Sequence, residues 1–226
     1  AHANHLRRQM TADIAHDLRT PLMVISGYLE ALRDGTLQPT QARFDAMNQE
    51  AVLLKRLVDD LRTLSLADAG ELKLVYQSVP VRELLEQIKQ SFEPLALEQS
   101  VTLRVEADEN LPLLYVDPER ITQVLANLVT NALRYTPDGG TVTLVARRQP
   151  EGVQIAVSDT GSGIPEDKLV NIFERFYRVE EARQQNSGES GLGLAIAKSI
   201  VEAHQGTIKA ESRVGAGTSI LITLKP

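Results

Sequence analysis

Between residues 10 and 32 the apolar residues Met10, Ile14, Leu18, Leu22, Ile25, Leu29 and Leu32 recur at steps of four, four, four, three, four and three. That spacing draws one apolar seam along a long helix. The segment Asp34-Gly35-Thr36-Leu37-Gln38-Pro39 breaks the pattern, and a second seam follows through Phe44, Met47, Ala51, Leu54, Val58 and Leu61. Two lone helices leave such seams half wet. A dimer in which two hairpins close a four-helix bundle buries both, so the first module, residues 1–67, is expected to be an all-α dimerising hairpin.

Beyond residue 67 the pattern changes. Residues 68–80 read as a connector with some strand character, and residues 81–226 as a second, mixed module. Its expected elements are helices over 81–99, 118–135 and 192–204, and strands over 101–106, 113–116, 141–148, 153–158, 207–212 and 218–224. Asp117-Pro118 opens the middle helix as an N-cap acid followed by an N1 proline. Helices with mostly antiparallel strands in this order predict an α/β sandwich.

Composition narrows the chemistry. The 226 residues carry a formal charge of −6 with the two signs interspersed, which argues against a nucleic-acid surface. The absence of cysteine excludes thiolate metal sites, disulfides and cysteine nucleophiles. No apolar run reaches the roughly 20 residues that span a bilayer. The expectation from composition is a soluble fragment, cut from a longer protein.

Five clusters carry polar or glycine residues, one on the first helix and four in the second module at the ends of regular elements. In Ala15-His16-Asp17-Leu18-Arg19-Thr20-Pro21-Leu22, His16 lies roughly 200° around the helix from Ile14 and Leu18, so it faces away from the seam. Thr20 shares its face, Asp17 flanks it, and Pro21 should bend the helix just beyond. Taken alone, His16 is either a solvated histidine, as most exposed histidines are, or a nucleophile. His2 and His5 read as solvated, and His204, before Gln205-Gly206, as a helix-end residue favoured by the dipole.

In Asn127-Leu128-Val129-Thr130-Asn131 two amides stand at i and i+4 on one face, either a solvated stripe or oxygen ligands for a hard cation such as Mg²⁺. Asp159-Thr160-Gly161-Ser162-Gly163-Ile164-Pro165 follows a strand, and is either an ordinary turn or a carboxylate placed for an exocyclic amine. Gly188-Glu189-Ser190-Gly191-Leu192-Gly193-Leu194 opens a helix whose amides can cradle phosphate. Gly215-Ala216-Gly217-Thr218 joins two strands and reads as a hairpin turn. The aperiodic polar stretch Glu180–Gly188, between two of these clusters, reads as a mobile loop suited to be a lid.

In this order the clusters resemble the sensor histidine kinases of bacterial two-component systems, over nearly the whole chain. His16–Leu22 is similar to that family's phosphoacceptor box, Asn127–Pro137 to its asparagine box, and Asp159–Pro165 and Gly188–Leu194 to its two glycine boxes. Phe173-Glu174-Arg175-Phe176-Tyr177-Arg178 is similar to its phenylalanine box. The resemblance implies a dimerisation and histidine phosphotransfer domain joined to an ATPase domain of the gyrase, chaperone and MutL type. It implies a histidine kinase that uses ATP and Mg²⁺, phosphorylates His16, and passes the phosphoryl group to an aspartate of a response regulator, with phosphatase activity towards that regulator.

Carried over by position, His16, Asp17 and Thr20 are the catalytic residues and Asn127 and Asn131 the metal holders. The nucleotide is then bound by Asn127, Asn131, Arg134, Tyr135, Asp159, Gly161, Gly163, Ile164, Phe176, Arg178, Ser190, Gly191, Leu192, Gly193, Leu194 and Thr218. Asp17 stands where glutamate is commoner and Arg134 where lysine is usual; both keep the charge. The expected partners are a second copy of the chain and a response regulator, with no nucleic acid, and the resemblance implies a full-length protein in the cell membrane, reached only through segments outside this fragment, with this part in the cytoplasm. A conformationally driven ATPase and a non-catalytic dimeric scaffold are the competing classes. The first has no need of His16, the second none of the five boxes.

Overall fold

The computed structural model describes residues 2–177 and 191–225, with side chains from Ile14 onward. Helices α1 (His2–Arg33) and α2 (Gln41–Asp68) form an antiparallel hairpin. α1 continues through Pro21. That proline is buried, and its missing N–H falls beside a Thr20 hydroxyl that donates to the carbonyl of His16 at 3.2 Å. The seams are only half covered within one chain. Leu22, Leu29, Phe44 and Val58 are each about half exposed, while Met47 is buried.

Helix α2 also has a second apolar face that the sequence seam does not include. Leu57 and Leu64 are buried, and Leu64 belongs to the core of the second module, where α2 packs against a later helix, α6 (Gly193–Ala203). The Asp68 carboxylate pairs with Arg175 at the end of this contact.

The second module contains the remaining described elements: β1 (Gln77–Val79), α3 (Val81–Glu98), β2 (Thr102–Ala107), β3 (Leu114–Val116), α4 (Pro118–Tyr135), β4 (Thr141–Gln149), β5 (Gly152–Asp159), the single turn α5 (Glu166–Leu169), β6 (Thr207–Arg213) and β7 (Gly217–Leu224). Five strands form one sheet in the order β2-β4-β5-β7-β6, parallel at β2–β4 and antiparallel elsewhere. Val142, Leu144, Ala146, Ile155, Val157, Ile220, Ile222 and Leu224 alternate along their strands and are buried on one face. The stripe Ile121, Val124, Leu125, Leu128 and Leu133 of α4 meets that face, together with α3 and α6. Each fully buried leucine or isoleucine here stabilises the fold by about 1.5–3 kcal/mol. The result is the expected two-layer α/β sandwich.

The connector is held to this layer. Its strand β1 pairs antiparallel with β3, and Val75 N–H donates to Asp117 Oδ2 at 2.8 Å. Asp117 caps α4 as the sequence predicts, accepting from Arg120 N–H at 3.1 Å. His204 is more than a helix-end residue. It is buried, its Nε2 accepts from Asp117 N–H at 3.0 Å, and its Nδ1 faces the Ile200 carbonyl at 2.8 Å. Because Nε2 must accept, Nδ1 carries the proton. Tyr76 of the connector stacks on Tyr115 and meets the His204 ring edge-on, with centroids 5.3 and 5.5 Å away.

Candidate functional site

α4 places Asn127 and Asn131 one turn apart, both half-buried, on the edge of the helix left free by its apolar stripe. Asn127 Nδ2 donates to the carbonyl of Gly193 at 3.2 Å, at the start of α6. This bond fixes the amide with Oδ1 outward, where it receives Arg56 Nη2 from α2 at 3.4 Å. A side chain built on Gly193 would lie in ordinary contact with Asn127, 3.7 Å away. The start of α6 therefore stands against the two amides.

At the other end of α4, Arg134 lies over the Tyr135 ring, 5.8 Å from its centroid, and the Tyr135 ring is partly exposed. The Tyr135 carbonyl accepts from Ser162 N–H at 3.4 Å. Gly161 is required here by space, since a Cβ would sit 2.2 Å from that carbonyl. The first glycine cluster is thus pressed against the end of the asparagine helix.

Asp159 ends β5 and is the electrostatic centre of the cluster. Its Oδ1 accepts from Gly161 N–H at 2.8 Å and from Thr218 N–H at 3.2 Å. Burial pushes its carboxyl above the ordinary carboxylate range, and the two backbone donors from Gly161 and Thr218 pull back part of the way. Desolvation wins because two neutral donors replace only part of the lost hydration. Gly217, at φ +92°, closes the turn beside it, where a Cβ would lie 1.9 Å from the Asp159 carbonyl oxygen. Of the expected turn residues, Gly215 and Ala216 lie in the β6–β7 turn, while Gly217 and Thr218 open β7 and form a wall of the aspartate site.

Gly163 runs against the Arg213 carbonyl, and Ile164 N–H donates to Ser212 Oγ at 2.8 Å. Phe176 N–H donates to the Gly191 carbonyl at 3.1 Å, which brings the phenylalanine and second glycine clusters together. Leu192 is buried and its carbonyl accepts from Ile196 N–H; Leu194 is half-buried against the core. Arg178, Ser190 and the stretch Glu180–Gly188 lie outside the described residues.

The hairpin contributes a different kind of site. His16 is exposed, Asp17 half-buried and Thr20 exposed. The sequence pattern missed Arg56, which stands three or four residues from no seam residue and so reads as ordinary surface, and it missed Ser212, the one serine of an edge strand. It also missed Asp60 of α2, which is buried beside Arg56 at 4.0 Å and has its carboxyl raised by desolvation, against the pull of Arg56.

Comparison with known proteins rests on the same two modules. Residues 116–226 match the model of the histidine kinase-, DNA gyrase B- and HSP90-like ATPases, and residues 6–70 match the His Kinase A phospho-acceptor domain. The chain belongs to the sensor histidine kinase family. It is 39% identical to the signal transduction histidine-protein kinase BaeS of Escherichia coli K12 over 97% of its own length and 47% of the relative's. To the sensor histidine kinase WalK of Bacillus subtilis it is 40% identical over 96% of its length and 36% of the relative's. The chain thus spans about half the length of these curated relatives, or less. Among solved structures, the histidine kinase AdeS of Acinetobacter baumannii superposes with a TM-score of 0.78 at 27% identity, covering 93% of this chain and 97% of that one. The histidine kinase ThkA, solved in complex with the response regulator TrrA, superposes at 0.72 with 25% identity, over 96% of this chain and 60% of that one. None of the described helices is long and apolar enough to cross a membrane.

Proposed function

We propose that the chain is an ATP-dependent protein histidine kinase core that phosphorylates His16 and passes the phosphoryl group to an aspartate of a response regulator. The observation that carries this reading is the pairing, in one chain, of an exposed histidine on a helical hairpin with a nucleotide-type pocket docked against the same hairpin. Helix arithmetic supports it. His16 lies seventeen residues before Arg33 and Arg56 fifteen residues after Gln41. At about 1.5 Å per residue in an antiparallel pair, the two stand within roughly one turn of the same height. Arg56 touches Asn127, so the asparagine cluster is held near the level of the acceptor.

In this reading Asp159, Thr218 and the first glycine cluster hold adenine, Tyr135 and Ile164 pack beside it, and Arg134 and the start of α6 face the phosphates. Arg178 and Ser190, expected from the sequence to face the nucleotide, belong to the same proposal. Among the described residues no cluster of His, Asp or Glu forms a protein cage for a metal. Two half-buried amides with one oxygen turned outward suit instead an ion that arrives on the phosphates, as Mg²⁺ does with its preference for oxygen and retained water. Asn127 and Asn131 would hold it, and when bound it would offset the charge that gathers on the transferred group.

The residues of the hairpin do the remaining work. Phosphoryl transfer needs in-line placement and little covalent help from protein. The exposed His16 ring can enter the pocket mouth without displacing packing, and Asp17 beside it stabilises the imidazolium that develops. The Thr20 hydroxyl gives its proton to the His16 carbonyl and keeps lone pairs that can orient a water. That arrangement supports phosphatase activity towards the phosphorylated regulator. The half-exposed seam of Leu22, Leu29, Phe44 and Val58 supports a homodimer closed through this face. The whole protein is proposed to sit in the cell membrane with this part in the cytoplasm.

Incubation with γ-labelled ATP and Mg²⁺ tests the central step. Acid-labile, base-stable label is expected on the wild type and none on His16→Gln. Equal labelling of both would sink the assignment of His16.

A further inference from the structure

Ser212 of β6 joins three separate parts of the pocket through one hydroxyl. Ile164 N–H, in the first glycine cluster, lies 2.8 Å from Ser212 Oγ. The Gly217 carbonyl, at the start of β7, lies 2.9 Å from it. The third neighbour, at 2.9 Å, is Thr218 Oγ1. An amide N–H can only donate and a carbonyl can only accept. The single proton of Ser212 therefore goes to Gly217, and the contact with Thr218 is left with Thr218 as the donor. The Thr218 proton is turned towards Ser212, away from the pocket, so the threonine presents lone pairs alone.

Asp159 presents the same polarity. Its Oδ1 already accepts from Gly161 and from the backbone of Thr218, and a carboxylate has no proton to offer. Both side chains of this wall are thus acceptors. Such a wall pairs with a base edge that carries an exocyclic amine, and sets lone pair against lone pair with a base that carries a carbonyl at the same place.

We propose that Ser212 is a positioning residue for base selection: by holding Thr218 as an acceptor it makes the pocket favour a 6-aminopurine over a 6-oxopurine. This rests on the reading of Asp159 and Thr218 as the adenine wall, and deepens it. Ser212 touches no base itself. It acts through the proton of Thr218. Without Ser212 that hydroxyl is free to rotate and donate to a 6-oxo group, so the penalty against such a base falls. The tie to Ile164 is a second, structural role, which affects every purine nucleotide alike.

The two roles separate in a titration of the whole chain with ADP and with inosine diphosphate, which share ribose and phosphates and differ in the base at position 6 and in the proton that the 6-oxo base carries on N1, a difference common to every variant compared. Calorimetry should give the wild type a clear preference for ADP. Ser212→Ala should narrow the ratio of the two dissociation constants by roughly threefold to tenfold, the size of one hydrogen bond. Ser212→Thr, which restores a hydroxyl, should return the ratio towards the wild-type value. In a Thr218→Val background, where no hydroxyl is left to orient, Ser212→Ala should leave the ratio unchanged. An unchanged ratio in Ser212→Ala, with affinity for both nucleotides lowered together, would overturn the proposal and leave the adenine pocket standing. A wild type that binds neither nucleotide would overturn the pocket assignment itself.

Discussion

His16 stands exposed on a helix, with Asp17 beside it and a threonine hydroxyl turned onto its own carbonyl, whereas Asp159 is half-buried and held by two backbone amides, one in the loop after β5 and one at the start of β7. The first residue is presented and the second is preorganised. The difference follows from what each must meet. Under the proposed function His16 receives a phosphoryl group from one surface and yields it to another, so a built cavity around it would exclude one of the two. Asp159 meets one rigid base, and a fixed set of acceptors selects it with little reorganisation. The desolvation that raises the Asp159 carboxyl is the cost of that fixity. The sides meet where α2 packs on α6 and Arg56 reaches Asn127.

Substitutions at three depths would break or sharpen this contrast. The largest effect is expected at the amides proposed to hold the metal. Asn131→Asp should abolish MgATP binding in a titration while sedimentation at micromolar concentration still shows a dimer. Full affinity would remove Asn131 from the site, and a wild-type monomer would remove the dimer.

Asp159→Asn should come next. Replacing a charge-assisted acceptor with a neutral amide costs about 1.5–3 kcal/mol of binding, or roughly tenfold to a hundredfold in nucleotide affinity. The same change should raise the melting temperature of the nucleotide-free protein at pH 7. The sign follows from the raised carboxyl: the folded state holds the proton more tightly than the unfolded state, so its contribution to stability is present at low pH and is lost as pH rises through the folded value. Near neutrality the wild type bears the whole penalty of a desolvated charge, and asparagine removes it. The gain in melting temperature should therefore shrink as pH falls towards 4. A gain that is absent at pH 7, or that grows on acidification, would contradict the account of this carboxyl.

The smallest effect belongs to the tie between modules. Asp68 and Arg175 are partly exposed, so their pair is worth about 0–1 kcal/mol, and Asp68→Ala should shift the melting temperature by no more than about 4 °C. A larger shift would mean that the hairpin and the pocket are less separate than their surroundings suggest.

What the sequence revealed follows the same division. Local signals were legible: the seam of α1, the Asp117-Pro118 start of α4, and the strand alternation of β4, β5 and β7 each depend on residues close in the chain. The candidate site residues His16, Asn127, Asn131 and Asp159 stand out in the sequence as types in a pattern. Relations across the chain were not. The parallel pairing of β2 with β4, the second apolar face of α2, the reach of Arg56 to Asn127 and the placing of His204 against Asp117 join segments far apart, and no period or spacing encodes them. Ser212 shows the limit most clearly, since its three partners are invisible until the β6–β7 turn is folded against the first glycine cluster.

The central claim is that the preorganised pocket acts on one presented histidine among the four in the chain. Mass-spectrometric mapping of the wild-type protein after incubation with MgATP at neutral pH tests it most directly. The account predicts a single phosphohistidine, at His16. Phosphate on His2, His5 or His204 instead, or on no histidine at all, would contradict it.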